Sequence, residues 1–191
     1  MTNFSVKALD EKTWPDFARL VEKHNGVWGG CWCMAFHAEG VGRGKIAAQS
    51  RAEKENRVHT GRAHAALVYD GPTAVGWCQF GPVDELPRIK HKREYQNGLD
   101  QLPDWRITCF FVDREYRGQG VASIALAGAL DEIARLGGDR VESYPEEVEG
   151  RSTSGSFLHN ATLSIFERLG FQRMRRLGKH HWVVSKVIPA R

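Results

Sequence analysis

The chain has 191 residues, of which 41% are hydrophobic, so it can bury the core of one domain or at most two small ones. Its formal net charge of +4 is modest for a nucleic-acid-binding protein, and no apolar stretch is long enough to span a membrane. Without a signal sequence, and with four cysteines partly inside apolar strand patterns, it is expected to be one cytoplasmic domain over residues 1–191 with no disulfide bond.

The first part of the chain predicts one strand, two helices and a β-hairpin. Residues 4–9 alternate as a strand, and Thr13 with Asp16 can cap a helix that runs to about residue 24. A second helix is predicted from about residue 45 to residue 58, where Gly61 ends it. Residues 63–69 and 73–80 then pair as a hairpin.

The loop between the two helices, residues 27–37, has the most unusual composition of the chain. Its large apolar side chains, which can hardly all face water, are Trp28, Trp32, Met34 and Phe36. One interpretation is packing in the core. Another is a zinc site made by Cys31, Cys33 and His37, but zinc sites usually space paired cysteines more widely, so we predict no metal.

A long connection and a β-α-β unit follow the hairpin. Residues 81–103 exceed the usual length of a hairpin loop, so this connection is a candidate substrate lid. Residues 107–112 form an apolar strand, and a helix follows with Leu126, Leu130 and Ile133 on one face. Residues 140–144 read as the next strand.

The loop that opens this helix predicts a phosphate site. The first amides of a helix lack partners within it, and the helix dipole favours an anion at that end. Gly118 and Gly120 leave room for a pyrophosphate, and Arg117 adds a cation. A dinucleotide fingerprint fits less well because Ser123 replaces its third glycine. A Walker-type loop at residues 44–45 lacks the hydroxyl that would reach magnesium.

The end of the chain predicts a helix over residues 156–169 and a hairpin over residues 171–187 that turns at Gly178. The whole order is therefore one strand, two helices, three strands, a helix, a strand, a helix and two strands.

Two stretches resemble a known family. Arg117, Gly120 and Ala122 match motif A of the GNAT superfamily of acyl-CoA-dependent N-acyltransferases, and residues 166–171 resemble its closing helix and Leu-Gly-Phe turn. The resemblance implies an α/β (α+β) fold: a central mixed sheet of about seven strands, flanking helices and a splayed strand pair that forms the acyl-CoA cleft. A dinucleotide-dependent oxidoreductase remains an alternative from another class.

The resemblance also implies the coenzyme site and the reaction. Acetyl-CoA would donate an acetyl group to a primary amine, a small molecule or peptide, by direct attack without a covalent enzyme intermediate. The Phe110 amide would bind the thioester oxygen, and Phe111 and Val112 would pair with the pantetheine arm. The loop residues implied to bind the pyrophosphate are Arg117, Gly118, Gln119, Gly120, Val121, Ala122 and Ser123.

The groups that move protons are poorly marked. Many relatives have a tyrosine as general acid where this chain has Phe166, so Tyr144 or solvent is the candidate acid. Glu142 and His159 are the candidate bases, and water is a third. Glu142 could instead pair with an arginine, and His159 could simply start a helix. Loss of both proton-transfer groups would leave an inactive acyl-CoA-binding module, which is the second functional hypothesis.

The acceptor and any partner subunit are the remaining expectations. Substrate sites in the family often involve the first two helices and the loop between them, so the side chains expected near the acceptor are Trp28, Trp32, Trp77 and Trp105. A last strand over residues 181–187 could pair across a homodimer. We expect no membrane or nucleic-acid partner.

Overall fold

The computed structural model describes residues 3–41, 46–150, 153 and 158–191. Its strands are β1 (Phe4–Ala8), β2 (His64–Asp70), β3 (Thr73–Pro82), β4 (Trp105–Val112), β5 (Asp139–Ser143), β6 (Gln172–Leu177) and β7 (His181–Ile188). Its helices are α1 (Trp14–Lys23), α2 (Ala47–His59), α3 (Lys92–Asn97), α4 (Val121–Arg135) and α5 (Leu163–Arg168). The strands form one mixed sheet in the order β1-β2-β3-β4-β5-β7-β6, which confirms the predicted fold class.

Two details differ from the sequence-based expectation. The connection after β3 contains α3, whose Tyr95 is 2% exposed. Helix α5 is shorter than predicted because Ala161 has a left-handed φ of +58°, which separates it from a 3-10 turn at Leu158–Asn160. The predicted starts of α2 at residue 45 and of α5 at residue 156 lie outside the described residues.

The sheet has a core on each face. One core packs Trp14 and Phe17 of α1 against Trp77 of β3, and the other packs Leu126 of α4 and Phe166 of α5 against the opposite face. The amphipathic patterns of α1 and α4 produce these cores, since each helix buries one face. A smaller cluster, around Tyr95 and Tyr144, packs α3 against the β5 side of the sheet.

Strand β4 separates from its parallel neighbour halfway along its length. Gln79 is opposite Cys109 while Phe80 is opposite Ile107, so Thr108 is an extra residue in β4, a β-bulge. On the other side, β4 pairs with β5 only from Trp105 to Ile107. The pairing with β5 therefore ends where the bulge begins, and a gap opens beside residues 108–112.

The sheet order bears on the predicted dimer. Strand β7 pairs with β5 on one side and with β6 on the other, so the expectation that it pairs across a dimer is wrong. The edge strands of the described sheet are β1 and β6. Within the described residues, no helix is both long enough and apolar enough to cross a membrane.

Gly76 in β3 sets the distance between the sheet and the start of α4. A Cβ atom there would lie 2.8 Å from Phe111 O and 2.8 Å from Val121 Cγ1. We expect Gly76→Ala to lower the free energy of unfolding by about 1–3 kcal/mol, because the backbone of β4 cannot give way cheaply. Gly98→Ala is the control, since its Cβ would meet only the flexible side chain of Arg175. Urea denaturation should show a change within about 0.5 kcal/mol for Gly98→Ala, and equal losses in both variants would contradict the account.

Candidate active site

The gap beside β4 exposes backbone groups of alternate residues. Asp113 N–H donates to Val75 O of β3, at 2.9 Å. Because backbone groups alternate along a strand, those of Phe110 and Val112 face away from β3, towards the gap. In agreement, Val112 O accepts a hydrogen bond from Arg117 Nε, at 3.4 Å. The gap can therefore take an extended ligand that pairs with β4 as a strand would.

The glycine loop lies at the end of the gap. Gly118 and Gly120 have left-handed φ values of +77° and +81°, and a Cβ on either would meet nothing within 4 Å. Gly120 precedes the first turn of α4, and its carbonyl accepts from Ser123 N and Ile124 N. The amides before Ser123 are thus those that a helix leaves without internal partners. With Arg117 exposed beside them, the loop has the room and the charge to bind a phosphate.

A cavity of about 310 Å³, here called the gap cavity, connects β4 to this loop. Its lining residues are Trp28, Phe110, Phe111, Val112, Arg117, Ala122, Leu158, Ala161, Thr162 and Ile165. It thus runs from the open edge of β4 to the start of α4, and its walls are mostly apolar. Residues from four separate parts of the chain meet there. They include Phe110, Phe111 and Val112 of β4, which were predicted to bind the coenzyme.

A second cavity of about 460 Å³, here called the loop cavity, lies under the tryptophan-rich loop. Its lining residues are Trp28, Cys31, Cys33, Ala35, Phe36, Val41, Arg88, Ile89, Lys90, Cys109 and His159. Trp28 lines both cavities, and Cys109 of the loop cavity is adjacent in sequence to Phe110 of the gap cavity. The two cavities therefore approach each other at the point where β4 leaves β5.

The loop above this cavity has an unusual backbone. Its non-glycine residues with left-handed φ values are Asn25, Val27, Trp28, Trp32 and Cys33. Such values are uncommon, and for a β-branched residue such as Val27 they are a clear outlier. Outliers of this kind persist where the surrounding structure holds them, often at functional sites.

A buried polar network lies behind the loop cavity. Lys54 of α2 is 1% exposed, and its Nζ lies 3.1 Å from His37 Nε2 and 2.9 Å from Gln79 Oε1. Gln79 Nε2 donates in turn to Thr108 Oγ1, at 3.3 Å, in the β-bulge. Lys54 and Gln79 were not predicted from the sequence. A sequence signal for Lys54 was present, because the segment of α2, AAQSRAEKENRVH, has no apolar stripe; in the structure its buried residues include Ser50, Lys54 and Arg57.

The groups predicted to move protons lie in different places. His159 lines the loop cavity, with its ring 6.1 Å from Trp28 and 5.9 Å from Phe36. Glu142 is 2% exposed, and it accepts hydrogen bonds from Tyr95 Oη at 2.8 Å and from Arg140 Nη2 at 3.1 Å. Neither Glu142 nor Tyr144 is among the described residues that line the two cavities.

Burial decides the chemistry of the predicted acid. The pKa of Tyr144 is well above its ordinary value because the side chain is desolvated. Phe166, at the family's usual tyrosine position, is fully buried and packs edge-on against Phe110 and Phe171. The roles of Glu142, Tyr144 and His159 therefore stay predictions, and among these three only His159 lines one of the two cavities described above.

The tryptophans divide between the core and the cavities. Trp28 lines both cavities, whereas Trp77 is fully buried and stacks on Phe111 with ring centres 4.8 Å apart. Trp32 is 3% exposed beside Trp14, and Trp105 Nε1 donates to Gly138 O, at 2.7 Å, on the other face. Only Trp28 among the four predicted acceptor tryptophans thus contacts a cavity described above. Within the loop, Trp32 therefore packs in the core, whereas Trp28 forms part of the wall of both cavities.

The cysteines of the loop do not form a metal site with His37 in the described part of the chain. No cluster of three or more His, Cys, Asp or Glu side chains there could hold a metal ion. His37 Nδ1 lies 3.2 Å from Glu85 O, and its Nε2 lies against Lys54, so both ring nitrogens are engaged away from the cysteines. All four cysteines are free and buried.

Comparison with known proteins relates the chain to one family. The profile of the acetyltransferase (GNAT) family matches residues 32–149. No curated protein sequence matches the chain.

Several solved structures are similar to the fold. A mosquito arylalkylamine N-acetyltransferase-like protein 5b is 11% identical, with a TM-score of 0.57 over 97% of this chain and 100% of its own. A Corynebacterium glutamicum protein, described as a histone acetyltransferase and related acetyltransferase, is 14% identical, with a TM-score of 0.58 over 100% and 98% of the two chains. The yncA protein of Salmonella typhimurium, solved with its cofactor acetyl-CoA, is 14% identical, with a TM-score of 0.54 over 98% and 95%. At these identities, the likeness concerns the fold alone.

Asp113 ties α1 to the start of the glycine loop. Its carboxylate is 2.8 Å from Lys23 Nζ and accepts from Glu115 N at 3.2 Å. Burial alone would raise the pKa of Asp113, but hydrogen bonds from Lys23 and the Glu115 amide, together with His24 Nε2 at 3.4 Å, hold it below its ordinary value of 3.8. The carboxylate therefore stabilises the fold fully above pH 3.8, and this contribution is lost as the pH falls below that value.

We expect Asp113→Asn to lower the free energy of unfolding at neutral pH by about 2 kcal/mol and to flatten its fall below pH 3.8. Glu115→Gln is the control, because Glu115 binds the same Lys23 but its side chain is 72% exposed. Its loss should stay below about 1 kcal/mol. Denaturation at a series of pH values measures both, and an unchanged acid limb in Asp113→Asn would be inconsistent with this role.

Proposed function

The chain belongs to the acetyltransferase (GNAT) family, and on that premise we propose that it moves an acetyl group from acetyl-CoA to a primary amine. The proposal covers residues 1–191 as one domain of this type. A cytoplasmic location stays a prediction.

The gap between β4 and β5 is the observation that carries this proposal. It brings together backbone groups of β4 that have no strand partner among the described residues, an apolar cavity, and a glycine loop with room for a phosphate. A coenzyme A thioester has the same order of parts: a reactive carbonyl, an amide-containing arm and a pyrophosphate. We infer that the arm pairs with β4 at Phe110 and Val112 and that the pyrophosphate binds the amides of residues 118–123.

A backbone amide of β4 would then activate the thioester. We infer that Phe110 N–H donates to the thioester oxygen, where negative charge develops during attack. The side chain of Phe110 packs in the core with Phe166, so it holds the strand in place without taking part in the chemistry. Because the donor is an amide, a change of side chain at Phe110 should weaken the reaction less than a blocked glycine loop does.

The loop cavity is the proposed acceptor site. It approaches the gap cavity at Trp28 and Cys109, so an amine bound there can reach a carbonyl held at Phe110. Its apolar walls at Trp28, Phe36 and Ile89 favour an amine with an apolar or aromatic group. We propose direct attack of this amine on the thioester, without a covalent enzyme intermediate.

Thermal stability with and without acetyl-CoA tests the coenzyme site. We expect acetyl-CoA to raise the Tm of the wild type, and Gly120→Glu to abolish this shift by placing an anion where the pyrophosphate binds. Gly61→Glu is the matched control, since Gly61 also has a left-handed φ, +66°, and open space around it, but it follows α2. Gly61→Glu should have a lower Tm yet keep the shift. A wild type with no shift would contradict the proposal.

Turnover separates the enzyme from an inactive binding module. The presence of Phe166 at the family's usual tyrosine position favours the module as the second candidate. We expect release of free coenzyme A thiol when the protein is incubated with acetyl-CoA and a panel of primary amines. A protein that shows the thermal shift but releases no thiol with any amine would be the binding module.

A further inference from the structure

The loop cavity is lined by basic side chains without an acidic one. Its basic lining residues are Arg88, Lys90 and His159, and no aspartate or glutamate lines it in the described part of the chain. An amine substrate arrives as an ammonium cation, and like charges repel more strongly beside apolar walls than in open water. An acceptor with no other charge therefore gains nothing from the electrostatics of this cavity.

Acidic residues close to the cavity in sequence are bound by other residues. Glu39 Oε2 lies 2.7 Å from Arg57 Nη2, and Glu85 Oε2 lies 2.9 Å from His64 Nδ1. Neither glutamate is among the residues that line the loop cavity. Both carboxylates are therefore engaged away from the cations of the cavity.

Arg88 is placed at the cavity wall by contacts with the tryptophan-rich loop. Its amide donates to Phe36 O at 3.1 Å, and its Nη1 donates to Ala38 O at 3.4 Å. Gly40 leaves room for the guanidinium, because a Cβ atom there would lie 2.6 Å from Arg88 Cζ. The contact with Ala38 uses one of the five N–H donors of the guanidinium, so further donors can bind an anion.

Lys90 is the second cation of the cavity wall, two residues farther along the chain, and both residues are exposed. Among the described residues, no carboxylate lies within ion-pair distance of Arg88 or Lys90. The pKa of Lys90 is lowered because its ammonium is partly desolvated, and Glu146 offsets this effect only in part. An anion bound beside the two cations would supply the missing countercharge.

The two cations are placed so that one substrate can reach both them and the thioester. Arg88 and Lys90 line the loop cavity but not the gap cavity, whereas Trp28 lines both, and Cys109 of the loop cavity precedes Phe110. An acceptor whose amine faces the thioester can therefore leave an anionic group at the cations. The volume of about 460 Å³ lies in the range of about 300–1,000 Å³ that is typical of small-molecule sites.

We propose that the acceptor is a small molecule with an amine, a carboxylate and an apolar or aromatic group, as in an apolar or aromatic amino acid. Arg88 and Lys90 bind the carboxylate and so determine which amines are acetylated. The proposal rests on the acyltransferase function proposed above and names the acceptor of that same site. Such a substrate is a zwitterion, so its carboxylate offsets the repulsion between its ammonium and the two cations.

The product of this reaction is an N-acetyl amino acid. The nitrogen–carbon bond forms as the carbon–sulfur bond of the thioester breaks, and the electron pair of the broken bond stays on sulfur. Of the three ammonium protons, one is released to solvent, one moves to the thiolate of coenzyme A and one stays on the new amide. The positive charge of the amine is thus lost, while the carboxylate that binds Arg88 and Lys90 is unchanged.

A purely structural role of Arg88 is the rival explanation, because Arg88 contacts the loop backbone at Phe36 and Ala38. Loss of a structural contact weakens the reaction with every acceptor alike. Loss of an anion site weakens it only for acceptors that carry the anion. The preference among acceptors within one variant therefore separates the two explanations.

The test uses phenylalanine, tryptophan and leucine, each compared with its amide and with its decarboxylated amine. Both analogues lack the carboxylate, but the amine of the amide is less basic than that of the amino acid, whereas the decarboxylated amine is more basic. A preference for the amino acid over both analogues therefore cannot come from the basicity of the amine. Release of coenzyme A thiol gives kcat and KM, and the Tm with coenzyme A and each compound gives the order of binding even without turnover.

We expect the wild type to have a kcat/KM for the best amino acid at least about 10-fold above those for its two analogues. Arg88→Met and Lys90→Met should each lower this value by about 10- to 100-fold, mainly through KM, with little change for the analogues. Arg88→Lys, which keeps the charge, should retain part of the preference, and Lys90→Glu should favour the decarboxylated amine. Arg93→Met is the control and should keep the wild-type preference, because Arg93 is exposed on α3 and is not among the residues that line the loop cavity.

Two results would overturn the proposal. One is a wild type that binds or acetylates the amides and amines as well as the amino acids. The other is an equal loss for all three forms of the acceptor in Arg88→Met and Lys90→Met, which would assign these residues a structural role. Failure of the acyltransferase function itself would be recognised separately, by the absence of an acetyl-CoA shift in the wild-type Tm.

Discussion

The end of the hydrogen bonding between β4 and β5 is the constraint on which the rest of the site depends. The two strands pair only as far as Ile107, where the extra residue Thr108 changes the direction of β4. Beyond that point, β4 keeps its partner β3 on one side, and on the other side its backbone groups pair with no strand in the described part of the chain. A ligand that supplies a missing strand edge can therefore be bound by backbone atoms, with side chains needed only for packing.

The β-bulge also joins the two halves of the proposed mechanism. Thr108 accepts a hydrogen bond from Gln79, which holds Lys54 behind the loop cavity, while Phe110 begins the gap cavity two residues later. The residue that opens the gap thus also belongs to the network that holds Lys54 behind the loop cavity. Burial of Lys54 would cost several kcal/mol without partners, so the network around it must be complete for the fold to tolerate it.

The parts of the site that come from local sequence were predictable. A glycine loop between a strand and a helix has its geometry encoded in a few neighbouring residues, and Gly118 and Gly120 have the left-handed conformations expected there. The β4 strand and the hairpins were predictable for the same reason. The start of α5 was not, because the left-handed conformation of Ala161 has no signal in its residue type.

The parts that come from distant contacts were beyond the sequence. His37, Lys54, Gln79 and Thr108 lie on different elements, and only the packing of α2 against the sheet brings them together. Glu142 was a reasonable candidate base, but Tyr95 of α3 binds it, and α3 lies in a connection whose helix was not predicted. A lone polar residue in a sequence carries no record of the partner that will satisfy it.

Hydrogen exchange of the β4 amides, with and without acetyl-CoA, tests the central claim most directly. If the coenzyme pairs with the open edge of β4, the amides of Phe110 and Val112 should exchange more slowly on binding. The amide of Phe111, which faces β3, should change little and serves as an internal reference. Slower exchange at Phe110 and Val112 alone would support the account, whereas binding of acetyl-CoA without any protection of these two amides would contradict it.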